Sequence, residues 1–143
     1  MAKDLFNINY RGGFKMVKGI EHVAIFSKDT KALSDWYKDM FSLRIVYDNG
    51  KGTYFAAFES GDMIEFVKTD ITDEKKHYQT EGIRHLALTI DDDKFEPMVD
   101  KLKAAGVEVV VDVAVSSSGI KTFLFRDIDS NLCHLIVRPT PLV

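Results

Sequence analysis

The chain has 143 residues, 45% of them apolar and 29% charged, which suits one globular domain with a sizeable core. A formal net charge of −3 offers no basic surface for nucleic acid or anionic lipid. The N-terminal residues lack the apolar core of a signal peptide, and the most apolar stretch, residues 107–115, is interrupted by Glu108 and Asp112 and is too short to span a bilayer; a cytoplasmic location is expected.

Residues 1–16 do not share the pattern of the rest and read as an N-terminal extension, with Arg11-Gly12-Gly13 as a joint, ahead of a single domain over residues 17–143. Residues 19–27 alternate in the manner of a strand. Asp29 or Thr30 then suits a helix N-cap, and Leu33, Trp36, Tyr37 and Met40 fall at i, i+3, i+4 and i+7 on one helical face, ending near Ser42. Residues 44–47 and 52–58 read as strands around the turn Asp48-Asn49-Gly50, and residues 63–67 as a third. A polar joint over residues 68–82 carries His77, which reads as solvated. The order then repeats: a strand over 83–90, the acidic run Asp91-Asp92-Asp93 at the positive end of a helix, and Phe95, Met98, Val99 and Leu102 on one face of it. Ala105-Gly106 ends that helix, and strands follow over 107–113, 121–126 and 132–137 before Pro139 and Pro141.

Each half, about 17–68 and 83–138, is therefore a βαβββ unit. The expected fold is α+β, with the two half-motifs forming a curved mixed sheet around a cleft and the helices outside. The repeat is visible in the residues themselves. Ile20-Glu21-His22-Val23-Ala24-Ile25 returns as Ile83-Arg84-His85-Leu86-Ala87-Leu88, and a polar residue closes each half, Glu65 in the first and His134 in the second. Strand alternation turns Val23 and Ile25 toward a helix and His22, Ala24 and Phe26 toward the cleft. The same rule gives His85, Ala87 and Thr89, Glu65 with Met63 and Val67, and His134 with Leu132 and Ile136. An unpaired carboxylate in Met63-Ile64-Glu65-Phe66-Val67 is costly to bury and calls for a partner or a cation. Three of the four histidines occupy repeat-related positions, and Glu65 fills the fourth. His22, Glu65, His85 and His134 are thus candidate ligands of one divalent transition metal (Zn, Ni, Fe, Mn or Co), with open positions for a small-molecule substrate. Cys133 is the only cysteine, excludes an intrachain disulfide, and reads as a buried, inert thiol.

These residues, with the run Phe125-Arg126-Asp127-Ile128-Asp129-Ser130-Asn131-Leu132-Cys133-His134-Leu135, resemble the vicinal oxygen chelate superfamily over about residues 17–138. That superfamily includes glyoxalase I, methylmalonyl-CoA epimerase, extradiol dioxygenases and the fosfomycin and bleomycin resistance proteins. The last run is similar to the family's F-x-D-P-D-G-N-x-x-E-L ending, with Ile128 in place of Pro, Ser130 of Gly and His134 of Glu. The resemblance implies metal ligation by His22, Glu65 and His85, and gives the fourth position, His134, a part in proton transfer. It implies a glyoxalase-like lyase or isomerase working through a chelated enediolate of a small 2-oxo or 2-hydroxy substrate. Replacing the fourth-position Glu by His leaves Glu65 as the better proton carrier and leaves the site more positive, which favours an anionic chelating substrate. An Fe- or Ni-dependent dioxygenase and a metal-free small-molecule binding or resistance protein are the alternatives, and a homodimer is expected. Arg44, Arg84 and Arg126 are candidates to hold an anionic tail. Phe26, Tyr54 or Phe55, and Phe123 or Phe125 are candidates to line the cleft.

Overall fold

A computed structural model describes residues 20–71 and 83–142. The expected N-terminal extension and His77 lie outside the described residues. The element order is β1 (His22–Ser27), α1 (Thr30–Phe41), β2 (Arg44–Asp48), β3 (Tyr54–Ala57), β4 (Met63–Lys68), β5 (Leu86–Thr89), α2 (Asp92–Ala104), β6 (Glu108–Val115), β7 (Lys121–Arg126) and β8 (Leu132–Val137). The α+β architecture and the βαβββ order of each half are as expected. The strands divide into two four-stranded mixed sheets, β1-β4-β3-β2 and β5-β8-β7-β6, each with its first strand parallel to its last.

Local chemistry sets the elements. The Asp29 carboxylate accepts a hydrogen bond from the Ala32 amide and caps α1, and Ser42 ends that helix in the left-handed conformation at φ 58°. In α2, Asp92 and Asp93 occupy the first turn and Lys101 and Lys103 the last, so both ends oppose the helix dipole. Pro97 lies inside α2, where its missing N–H leaves the Asp93 carbonyl without the usual helical donor. In the β2–β3 turn the Asn49 side chain accepts from the amides of Lys51 and Thr53, and Gly50 takes φ +67°.

One apolar core joins both halves. Leu33 and Tyr37 of α1 and Phe95, Val99 and Leu102 of α2 are buried with Ile64, Phe66, Phe123, Phe125, Cys133 and Leu135. Tyr37 is the bridge: its ring packs against Phe66 of the first half, and its hydroxyl donates 2.8 Å to Asp127 Oδ2 of the second. Asp127 organises the β7–β8 turn by also accepting from the amides of Asp129 and Asn131 and from the Asn131 side chain. Two more ties cross between halves, from the Ser27 hydroxyl to Asp129 and from the Lys101 ammonium to the carbonyls of Asp39 and Met40. Because the helices and the core occupy one face of each sheet, the opposite faces are left to carry the histidines.

Candidate metal centre

Register settles which face each candidate shares. In the first sheet Ala24 pairs with Glu65 and His22 with Met63, so Glu65 lies on the His22 face while Ile64 and Phe66 turn into the core. His22 Nε2 stands 3.3 Å from Glu65 Oε2, and its Nδ1 is bound to Glu21 Oε2. The Glu21 hydrogen bond, followed by the charges of Glu21 and Glu65, holds the His22 pKa above the ordinary imidazole value, with burial opposing. If neutral His22 donates Nδ1–H to Glu21, its Nε2 lone pair faces the Glu65 carboxylate. Two acceptors at that distance are relieved by a proton on Nε2 or by a cation between them.

In the second sheet Ala87 and Leu124 flank His134 in register, and His85 lies one residue ahead of β5 in phase with Ala87. That strand is shorter than the expected 83–90, so His85 leads into it. The two rings meet edge to face with centroids 4.9 Å apart. His85 Nδ1 and His134 Nε2 are buried with no hydrogen-bond partner. Burial lowers the pKa of both, with Arg84 reinforcing it at His85 and with His85, Arg84 and Arg138 reinforcing it at His134. Both shifts favour the neutral ring, the state in which a ring nitrogen offers a lone pair to a metal.

The four sequence-derived candidates thus form two pairs, His22 with Glu65 and His85 with His134. Among the described residues of one chain, no three or more His, Cys, Asp or Glu side chains gather closely enough to hold a metal ion. The donor chemistry fits a transition metal in each pair, but a single chain presents the set as two halves.

The remaining candidates separate cleanly. Arg44 and Arg84 are exposed, whereas Arg126 donates to the Ser130 carbonyl and lies 3.6 Å from Glu108. Phe26 and Phe55 lie on the His22 face, and Phe55 meets the His22 ring edge to face at 5.3 Å. Phe123 and Phe125 are core residues at 0% exposure, and Tyr54 packs against the core. Cys133 is buried with its pKa pushed up to about 12 by burial, as an inert thiol requires. No helix among the described residues is long and apolar enough to cross a membrane.

Two residues beside the site were not anticipated. Glu21 was legible only as an acidic neighbour of His22. Tyr47 reaches the site face because an irregularity in the β2–β3 pairing between Ile45 and Tyr47 brings it opposite Phe55.

Comparison with known proteins agrees with this architecture. The curated fosfomycin resistance protein FosX of Listeria monocytogenes is 22% identical over 120 residues, covering 84% of this chain and 90% of that protein. A crystal structure of a variant of that protein with Mn(II) and 1S,2S-dihydroxypropylphosphonic acid superposes with a TM-score of 0.69 at 22% identity, covering 84% of this chain and 90% of that one. A glyoxalase/dioxygenase from Nostoc punctiforme superposes with a TM-score of 0.75 at 14% identity, covering 93% of this chain and 99% of that one. Residues 19–135 match the family model, and the chain belongs to the Glyoxalase/Bleomycin resistance protein/Dioxygenase superfamily.

Proposed function

We propose that the protein is a metal-dependent enzyme acting on a small molecule with two neighbouring oxygen atoms, and that two copies of the chain complete each site. His22 and Glu65 of one chain would face the partner subunit's His85 and the partner subunit's His134. The observation that carries this reading is the buried, partnerless state of His85 Nδ1 and His134 Nε2. Leaving a buried polar nitrogen unsatisfied costs about 1–3 kcal/mol, which a cation taking the lone pair removes. Three imidazoles and one carboxylate suit Zn, Ni, Co, Fe or Mn better than Ca or Mg.

When bound, the ion supplies Lewis-acid polarisation of the substrate's paired oxygens. The chain's own residues divide the remaining work. Glu21 holds His22 through Nδ1 and leaves Nε2 directed at the site. Ala24 and Ala87 leave volume beside the ligand pairs. With imidazole at position 134, the proton falls to Glu65, whose carboxylate oxygen accepts it from a carbon next to a carbonyl and returns it, as a lyase or isomerase requires. A second reading is favoured by the fosfomycin resistance relatives and by the Mn(II) complex holding a vicinal diol phosphonate. In it, Glu65 accepts a proton from water as the water oxygen bonds to one carbon of a phosphonate-bearing epoxide. The C–O bond of that carbon breaks, and the released oxygen takes the proton back to give the vicinal diol.

The test is metal uptake by the purified protein followed by two assays. Exchange of the α-proton of 2-oxo and 2-hydroxy thioesters or glutathione hemithioacetals into deuterated water supports the first reading. Conversion of fosfomycin to its diol, followed by phosphorus NMR, supports the second. Oxygen consumption with Fe(II) would move the assignment to a dioxygenase. A protein that binds no transition metal at micromolar concentrations would overturn both readings and leave a metal-free binder.

A further inference from the structure

The His22 face of the first sheet carries an ordered run of aromatic rings that ligand chemistry does not require. In one row of the sheet, register places Tyr47 of β2 beside Phe55 of β3, and Phe55 beside Glu65 of β4. Phe55 meets His22 edge to face at 5.3 Å, and Tyr47 meets Phe55 edge to face at 5.8 Å. Phe26 stands on the same face of β1, opposite Val67. In a single chain Phe26 is 71% exposed and Tyr47 53%, so both rings are free to line the space that the partner subunit would close. The core, by contrast, buries Phe66, Phe95, Phe123 and Phe125 completely. The ligand pair therefore opens onto an aromatic wall about two strand spacings wide, roughly 10 Å. Glu65 is the one charged group in the Tyr47–Phe55–Glu65–Ala24 row.

We propose that Phe55 and Tyr47 determine specificity, and that the substrate carries an aromatic ring beside its paired oxygens. This rests on the reading of His22 and Glu65 as one half of the substrate site. An aryl group laid against Phe55 gains an edge-to-face or offset contact together with burial of apolar area. A small aliphatic hydroxy acid fills the ligand end and leaves the wall wet.

The experiment compares phenyllactate with lactate by calorimetric titration, on Zn(II)-loaded and on metal-free protein. Wild type should bind phenyllactate at least about tenfold more tightly than lactate. Phe55→Leu keeps apolar volume in the sheet, and Tyr47→Leu does the same at the exposed end. Each should cut the preference several-fold by weakening phenyllactate binding, with lactate affinity falling by less. A preference that persists in metal-free protein, in a chain that takes up no Zn(II), upholds the aromatic wall and rejects the metal reading. Equal affinities for the two probes, or no binding of phenyllactate under either condition, overturns the aromatic wall whether or not Zn(II) is held. Variants that preserve the full preference overturn it too.

Discussion

Tyr37→Phe removes one oxygen atom from the place where the two halves of the chain are joined. The Tyr37 side chain is fully buried, and its hydroxyl donates 2.8 Å to Asp127 Oδ2 and lies 3.4 Å from Cys133 Sγ. The substitution leaves the ring packed against Phe66 and creates a void of about one atom, so lost packing contributes little. The main loss is a hydrogen bond to a buried carboxylate, worth about 1.5–3 kcal/mol. Asp127 retains its three donors from the β7–β8 turn, which keeps the loss near the middle of that range rather than at the full cost of stranding a charge. A loss of about 2 kcal/mol is a large share of the 5–15 kcal/mol typical of a domain, and lowers Tm by roughly 5–10 °C at this size. Urea unfolding should show the midpoint falling with an unchanged m-value, and a cycle with Asp127→Asn should give a coupling energy of at least about 1 kcal/mol. A change below about 0.5 kcal/mol, or strict additivity with Asp127→Asn, would refute the bridge.

Other consequences are equally direct. Ser130 and Ser42 adopt φ 68° and 58°, where an L side chain is strained, so Ser130→Gly and Ser42→Gly should each raise stability by about 0.5–1 kcal/mol in thermal melts; a loss of stability would show the serine side chains do more than fill a turn. Cys133, with its pKa pushed up to about 12, should resist iodoacetamide in the folded protein and react promptly in denaturant, and rapid native labelling would contradict its burial. Metal uptake should weaken as pH falls, because the ion must displace a proton from His22, whose pKa Glu21 holds above the ordinary imidazole value. Glu21→Gln lowers that pKa, so the pH midpoint of Mn(II) uptake should move downward. His85 and His134, lowered by burial, do not set that midpoint. An unmoved midpoint would remove Glu21 from the site.

Much of this was legible in the chain because duplication and strand period are local properties. The return of Ile-x-His with Ala two residues on, the i, i+3, i+4 faces of both helices, and an unexplained Glu65 in an apolar strand set the faces. Strand register agrees with the strand faces, and the burial of Leu33, Tyr37, Phe95, Val99 and Leu102 with the helix faces. The division of the four candidates into two pairs was not legible. It depends on how the sheets pack through Tyr37 and the two helices, and spacing along a strand carries no information about packing between sheets. Tyr47 was missed for a related reason: whether it faces the core or the site turns on the irregularity after Ile45, and a shift of one residue reverses every side chain beyond it. Pro97 would have argued for a break in the second helix, yet the burial of Phe95, Val99 and Leu102 holds α2 together through it.

The central claim is that His22 and Glu65 of one chain work with the histidine pair of another. Two variants test it, His22→Ala and His85→Ala, each of which removes a ligand from every site in a symmetric dimer. Mixed after unfolding and refolded together, they form mixed dimers in which one site contains neither substitution. Random pairing should then restore high-affinity metal binding to about a quarter of the wild-type site number, while either variant alone restores none. Recovery near that level supports a site shared between chains. A mixture that binds no more metal than the separate variants, beside a wild type that binds fully, would contradict it.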